Sequence, residues 1–261
     1  MRRLIIGLVF CVFAVAPVAA ERVVSLSPAT TEIVAALGGN LVGVTTACDY
    51  PLTVKSLPQV GDFVGPRLED IVAVRPSLIV GIGNPNTPAA IKLKTLGVPT
   101  LLFESPHTIA EVYALITKIG TALNRPEKAQ RLVQQLRDQI AAVRPLRSKP
   151  SVVVVLWTSP LVVAGPQTFV ADVIRAAGGN PIVGGTLDYP KLSRESLMAL
   201  QPDIIVLGDR QLKGDVWRWK LRSKTGMATR IVDTVTPDLF LRPGPRLGQG
   251  ATELSKWFRP Q

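Results

Sequence analysis

Four aromatic side chains stand where a flat ligand could be held. Tyr50 lies in CDYP, Phe63 in GDFVG, Trp157 at the end of the run beginning VVVV, and Tyr189 in LDYP, just ahead of Ser193–Glu195. Aromatics make up only 5% of the chain, so their position at the ends of apolar runs carries information. A ring offers apolar contact to a planar molecule, and a tyrosine hydroxyl remains free to hydrogen-bond. In open α/β sheets, ligands bind beyond the carboxyl ends of the strands. The competing reading is that each ring packs on its own stretch of surface.

Other reactive side chains are sparse. His107 is the only histidine, and its place between Pro106 and Thr108 predicts an exposed loop residue. Cys48 is the only cysteine beyond residue 20, either a small buried residue or a metal-facing thiol. One histidine and one cysteine do not assemble a zinc site, and no internal disulfide can form. There is no Gly-x-Ser-x-Gly elbow, Walker loop or complete Gly-x-Gly-x-x-Gly turn, although Gly81-Ile82-Gly83 has part of the last. No catalytic residue, resident cofactor or metal is expected.

Two glutamates are singled out by an internal repeat. Residues 68–81 read LEDIVAVRPSLIVG and residues 194–208 read RESLMALQPDIIVLG, an offset of 126 that pairs Glu69 with Glu195. Each copy predicts a short helix, a proline stop and a β-branched strand. EIVAALGGNLVG at 32–43 is echoed by DVIRAAGGNPIVG at 172–184 with an offset of 140. So long a period excludes a solenoid of about 20–50 residues per repeat and suggests two similar α/β lobes with a cleft between them. By charge alone, Glu69 and Glu195 suit the positive end of a helix dipole.

The elements that would position these residues alternate. Strands are expected at 22–26, 41–45, 78–81 and 100–103, with helices at 32–37, 68–74 and 89–96 between them. Thr30 or Thr31 would cap the first helix, and Gly38-Gly39 would end it. Short apolar runs without alternation argue for parallel strands covered on both faces. Thr108 and Glu111 form a capping box for a helix through 122. From 127 to 143 apolar residues recur at helical spacing after Pro126, giving an amphipathic helix of roughly 27 Å. The second half repeats the plan, with strands at 152–156, 204–207 and 230–235 and helices at 169–177, 195–200 and 251–258. The fold class predicted is α/β, two similar parallel-sheet lobes joined by a long rigid helix. The lobes are expected at 21–123 and 148–261, with the linker helix at 124–147.

Residues 1–20 read as a leader: Arg2 and Arg3, an apolar run from Leu4 to Val15, and small residues before a cleavage site near Ala20. An exported, periplasmic chain is expected. The formal charge is +11, and removing Arg2 and Arg3 leaves 28 basic against 19 acidic residues, or +9. The basic residues are scattered rather than clustered, which argues for a solvated surface and against nucleic acid. A monomer is expected.

Read together, SLSPATTEIVAALG, CDYP, VGDF…LEDIVAVRPSLIVG, AAGGNPI, LSRESLMALQPDIIVLG and LRPGPRL resemble the substrate-binding proteins of iron-chelate and cobalamin ABC importers, from Arg22 to about Trp257. Within that family the pattern is nearest to the cobalamin carriers. The resemblance implies a corrinoid bound between the lobes, with Tyr50, Phe63, Trp157 and Tyr189 lining the cleft and Asp238 and Arg242 as polar contacts. It also implies that Glu69 and Glu195 dock onto two permease subunits of an inner-membrane transporter. GIGNPN stands after the 78–80 strand where cobalamin carriers place a further tryptophan. Haem or a ferric siderophore is the alternative ligand, with Tyr50 as an iron ligand and the basic surface suiting an anionic chelate. A two-lobed metal-cluster oxidoreductase would need several cysteine ligands.

Overall fold

The computed structural model describes residues 21–62 and 65–259. The expected leader at 1–20 and the candidate contact Phe63 lie outside the described residues.

The first sheet is built from β1 (Val23–Ser25), α1 (Pro28–Ala36), β2 (Leu41–Val44), α2 (Leu68–Ala73), β3 (Leu78–Ile82), α3 (Pro88–Lys94) and β4 (Thr100–Phe103). Its strands lie in the order β2-β1-β3-β4, all parallel. Two helices, α4 (Ile109–Ala122) and α5 (Pro126–Ala141), then lead to the second half. There β5 (Ser151–Thr158), β6 (Leu161–Val163), α6 (Phe169–Ala176), β7 (Asn180–Pro181), α7 (Arg194–Leu200), β8 (Ile204–Leu207), α8 (Lys213–Arg218) and β9 (Arg230–Val232) follow. The chain closes with α9 (Asp238–Leu241) and α10 (Leu247–Phe258).

The repeat read from sequence is therefore a repeat of topology. In the second sheet β5 pairs in parallel with β7 and β8, and β8 with β9, which reproduces the order of the first. One strand breaks the symmetry. β6 runs antiparallel to β5 beyond the short β7, pairing Val155 with Val163 and Thr158 with Leu161. A three-residue hairpin arm is too brief to show a sequence period, and α8 and α9 are comparably short.

The lack of alternation in the strands has the expected cause. Val152 and Val154 enter one apolar cluster while Val153 and Val155 enter another, so both faces of β5 are covered. Val23 and Val24 divide in the same way. One of these clusters is shared by the two lobes: Val23, Ile33 and Val80 of the first belong to it with Val152, Phe169 and Ile174 of the second. Helices α4 and α5 carry the continuity through Ile116, Ile119, Ala129 and Leu136.

The first helix begins four residues earlier than the sequence suggested. Ser27 is its cap, accepting a hydrogen bond from Thr30 N at 3.5 Å, and Pro28 occupies the first turn, where its missing N–H costs nothing. Thr30 and Thr31 are consequently buried. Gly38 ends this helix at φ +74°, a region open to glycine. At α4 the expected reciprocal cap is displaced by one residue. Thr108 Oγ1 accepts from Glu111 N at 3.1 Å, and the Glu111 carboxylate accepts from His107 N at 2.7 Å.

The α4–α5 crossing requires a glycine. A Cβ added at Gly120 would lie 2.3 Å from Ala129 Cβ. Gly120→Val should destabilise the protein by about 1–3 kcal/mol through overpacking, read as a lowered melting temperature. Ala129→Gly in the same chain should recover part of that loss. An unchanged melting temperature in Gly120→Val would show that the two helices are not closely apposed.

Candidate ligand-binding cleft

The carboxyl ends of the second sheet open onto a cavity of about 660 Å³. Trp157 ends β5 and Gly208 and Asp209 follow β8, and with Tyr189, Val162, Leu212 and Leu241 they line it. Trp157 is 62% exposed and Tyr189 47% exposed, an unusual state for large rings in a chain with ample core to receive them. Burial, and then Asp188 beside it, raises the pKa of the Tyr189 phenol, which therefore remains a neutral donor.

Leu241 joins this wall to an ionic cluster that crosses between lobes. Arg242 donates to Asp49 at 2.6 Å and Glu32 at 3.1 Å, and pairs with Asp238 at 3.0 Å. Arg246 grips Glu32 with two bonds, Nε at 2.7 Å and Nη2 at 2.6 Å. The Arg246 guanidinium also lies over the Tyr50 ring, 3.9 Å from its centroid, within cation–π range. Glu32 and Asp49 come from the first lobe, and both arginines follow α9 in the second.

Burial opposes the charge on both arginines. For Arg242 the contacts with Asp49, Asp238 and Glu32 outweigh it, and for Arg246 chiefly Glu32 does, so both stay cationic with raised pKa values. The two aspartates beside Arg242 respond differently. The short hydrogen bond from Arg242 holds Asp49 below the ordinary carboxylate value, whereas burial pushes Asp238 above it.

Of the residues singled out in the sequence, Trp157 and Tyr189 share the cavity, and Tyr50, Asp238 and Arg242 share the ionic cluster. Sequence reasoning missed Glu32, Asp49 and Arg246. A signal for Glu32 was present: it is the lone charge in PATTEIVAA, a helix with no polar face to receive it.

The lobes are tied again nearer the shared core. Asp172 at the start of α6 accepts from Ile109 N at 2.9 Å, and His107 Nδ1 lies 3.1 Å from the carbonyl oxygen of Gln167. His107 is the exposed loop residue expected, with this tie added. Cys48 is buried between the hydroxyls of Thr31 at 3.1 Å and Thr45 at 3.2 Å. Among the described residues no group of three or more His, Cys, Asp or Glu is arranged to hold a metal.

Glu69 and Glu195 are both exposed, each the second residue of its helix, α2 and α7. Glu195 is held below its ordinary pKa by its own backbone N–H and then by the Ser193 hydroxyl. One turn further along each helix stands an exposed apolar side chain, Val72 at 55% and Met198 at 45%.

A family model described as periplasmic binding protein matches residues 23–228. The chain belongs to that family. Its members are substrate-binding proteins of transport rather than enzymes. The vitamin B12-binding protein of Yersinia pestis (strain Pestoides F) is 32% identical over 248 residues, covering 90% of this chain and 85% of that protein. Among solved structures, the apo periplasmic heme-binding protein of Roseiflexus sp. RS-1 aligns with a TM-score of 0.79 at 29% identity, over 92% of this chain and 98% of that one. The vitamin B12 binding protein of Vibrio cholerae aligns with a TM-score of 0.72 at 25% identity, over 92% and 96% of the two chains. In keeping with the family, no helix among the described residues is long and apolar enough to cross a membrane.

The environment of Cys48 makes a ligand-free prediction. A buried thiol bonded to two hydroxyls should react with an aromatic disulfide reagent only slowly in the native protein and rapidly once unfolded. Stoichiometric labelling of the native chain within seconds would place that thiol at the surface.

Proposed function

We propose that this protein captures a corrinoid of the cobalamin type in the cleft between its lobes and delivers it, in the periplasm, to an inner-membrane ABC transporter. No bond of the ligand is made or broken. The observation that carries the reading is the charge of the cleft. Arg242 and Arg246 are met by three carboxylates, Glu32, Asp49 and Asp238, so this cluster of five is formally negative. Asp209 on the cavity wall and Asp188 beside Tyr189 extend the bias.

Haem carries two propionates, and ferric siderophores are commonly anionic. Either would have to displace a carboxylate from a guanidinium or leave like charges facing each other, and unpaired buried charge is costly. A corrinoid presents uncharged amide side chains. Their N–H groups can donate to Asp49 and Asp238, their oxygens can accept from Arg242, and the macrocycle lies against Trp157, Tyr189 and Tyr50. The net basic charge of the chain thus lies outside this cluster. The haem reading draws on the heme-binding protein named above, which shares the fold, and is opposed by this charge count.

Isothermal calorimetry with cyanocobalamin should show one site per chain. Trp157→Ala should weaken it by roughly 1–3 kcal/mol, the loss expected of a well-packed aromatic anchor. No heat and no ligand-dependent rise in melting temperature with any corrinoid would remove the proposal.

Docking rests on Glu69 and Glu195. A binding protein with two similar lobes meets a two-fold transporter with one anchor per lobe, and exposed charges steer and orient such encounters. Reversing both to Lys should leave corrinoid affinity unchanged while abolishing complex formation with the transporter and ligand-stimulated ATP hydrolysis. If the two carboxylates serve only their helix dipoles, the double variant will melt slightly earlier and dock normally.

A further inference from the structure

We propose that Glu32 is the positioning residue of the cleft: a carboxylate in one lobe that fixes both arginines of the other, and through Arg246 the place of the Tyr50 ring. The inference rests on the corrinoid reading for its effect on affinity, but its geometric content stands apart from any ligand. Three observations support it.

First, the Glu32 side chain is 1% exposed and so has no water to rely on. A carboxylate in that state must be met by cations, and the two it meets lie 210 and 214 residues away in sequence. Second, its oxygens are shared unequally. Oε1 accepts from both Arg242 and Arg246, while Oε2 accepts from Arg246 alone. Among the described residues Glu32 is thus the carboxylate hydrogen-bonded to both Arg242 and Arg246, while Asp49 and Asp238 pair directly with Arg242. Third, the bidentate grip fixes the plane of the Arg246 guanidinium, and that plane covers one face of Tyr50. The ring as a whole is 43% exposed, so part of it stays open to a ligand. Asp49 and Asp238, 46% and 36% exposed, are the most open of the charged members of the cluster, and the arginines are 17% exposed. Glu32 is too deeply placed to touch one and acts through its partners.

The chain contains three tyrosines, Tyr50, Tyr113 and Tyr189, so ring-labelled tyrosine gives three NMR signals that single Phe variants assign. In ligand-free protein, Glu32→Gln should shift the Tyr50 signal and leave Tyr189 and Tyr113 in place. Tyr113 lies under a different cation, Arg137, and serves as the control. The same variant should weaken cyanocobalamin by about tenfold or more, the scale of a lost charge-assisted hydrogen bond. Arg246→Lys, which keeps the charge but not the bidentate geometry, should shift Tyr50 likewise and decides the matter should Glu32→Gln fail to fold. An unmoved Tyr50 signal, or a lowered melting temperature with unchanged affinity, would overturn the inference and leave Glu32 as a structural ion only. If the unaltered protein takes no corrinoid, the corrinoid reading falls, while the Tyr50 signal still decides the role of Glu32.

Discussion

A buried carboxylate cannot be left alone, and much of this architecture follows from where Glu32 finds its partners. Removing one side of such a pair strands a charge at a cost of about 3–5 kcal/mol. The partners lie across the lobe boundary, so the walls of the cleft are held in one relation before a ligand arrives. The apolar core shared by both lobes works in the same direction. So does the second tie, where α4 and its preceding loop bond to α6 and to the Gln167 carbonyl. Contacts held in place before binding limit the entropy lost when a ligand arrives.

The pseudo-symmetry of the chain separates two tasks. The repeated part, four parallel strands in one order with helices between them, supplies the scaffold and one exposed glutamate per lobe. The unrepeated parts add to the candidate cleft. Hairpin strand β6 extends the Trp157 wall, and the segment from α9 to α10 delivers Arg242 and Arg246.

The fold was legible because parallel strands buried on both faces announce themselves. Runs such as VVVV at 152–155 have no polar alternate, and the glycine pairs at 38–39 and 178–179 mark equivalent helix ends. β6, α8 and α9, of three to six residues and outside the internal repeat, were not legible. The site was half legible. Tyr50, Trp157 and Tyr189 stand out as scarce residue types at element ends. Glu32 was taken as the first residue of a helix that in fact begins at Pro28, and that shift hid the buried face it occupies. Its pairing with Arg242 and Arg246 depends on a contact spanning more than 200 residues, which no local pattern encodes.

An aromatic cleft with a surplus of carboxylates is expected to select an amide-bearing corrinoid over an anionic macrocycle. The most direct measurement is a competition titration followed by visible absorbance, with cyanocobalamin and haemin offered to the same protein. Saturation by one corrinoid per chain, not displaced by equimolar haemin, is the result expected. Tight haemin binding with no spectral response to cobalamin would contradict the account.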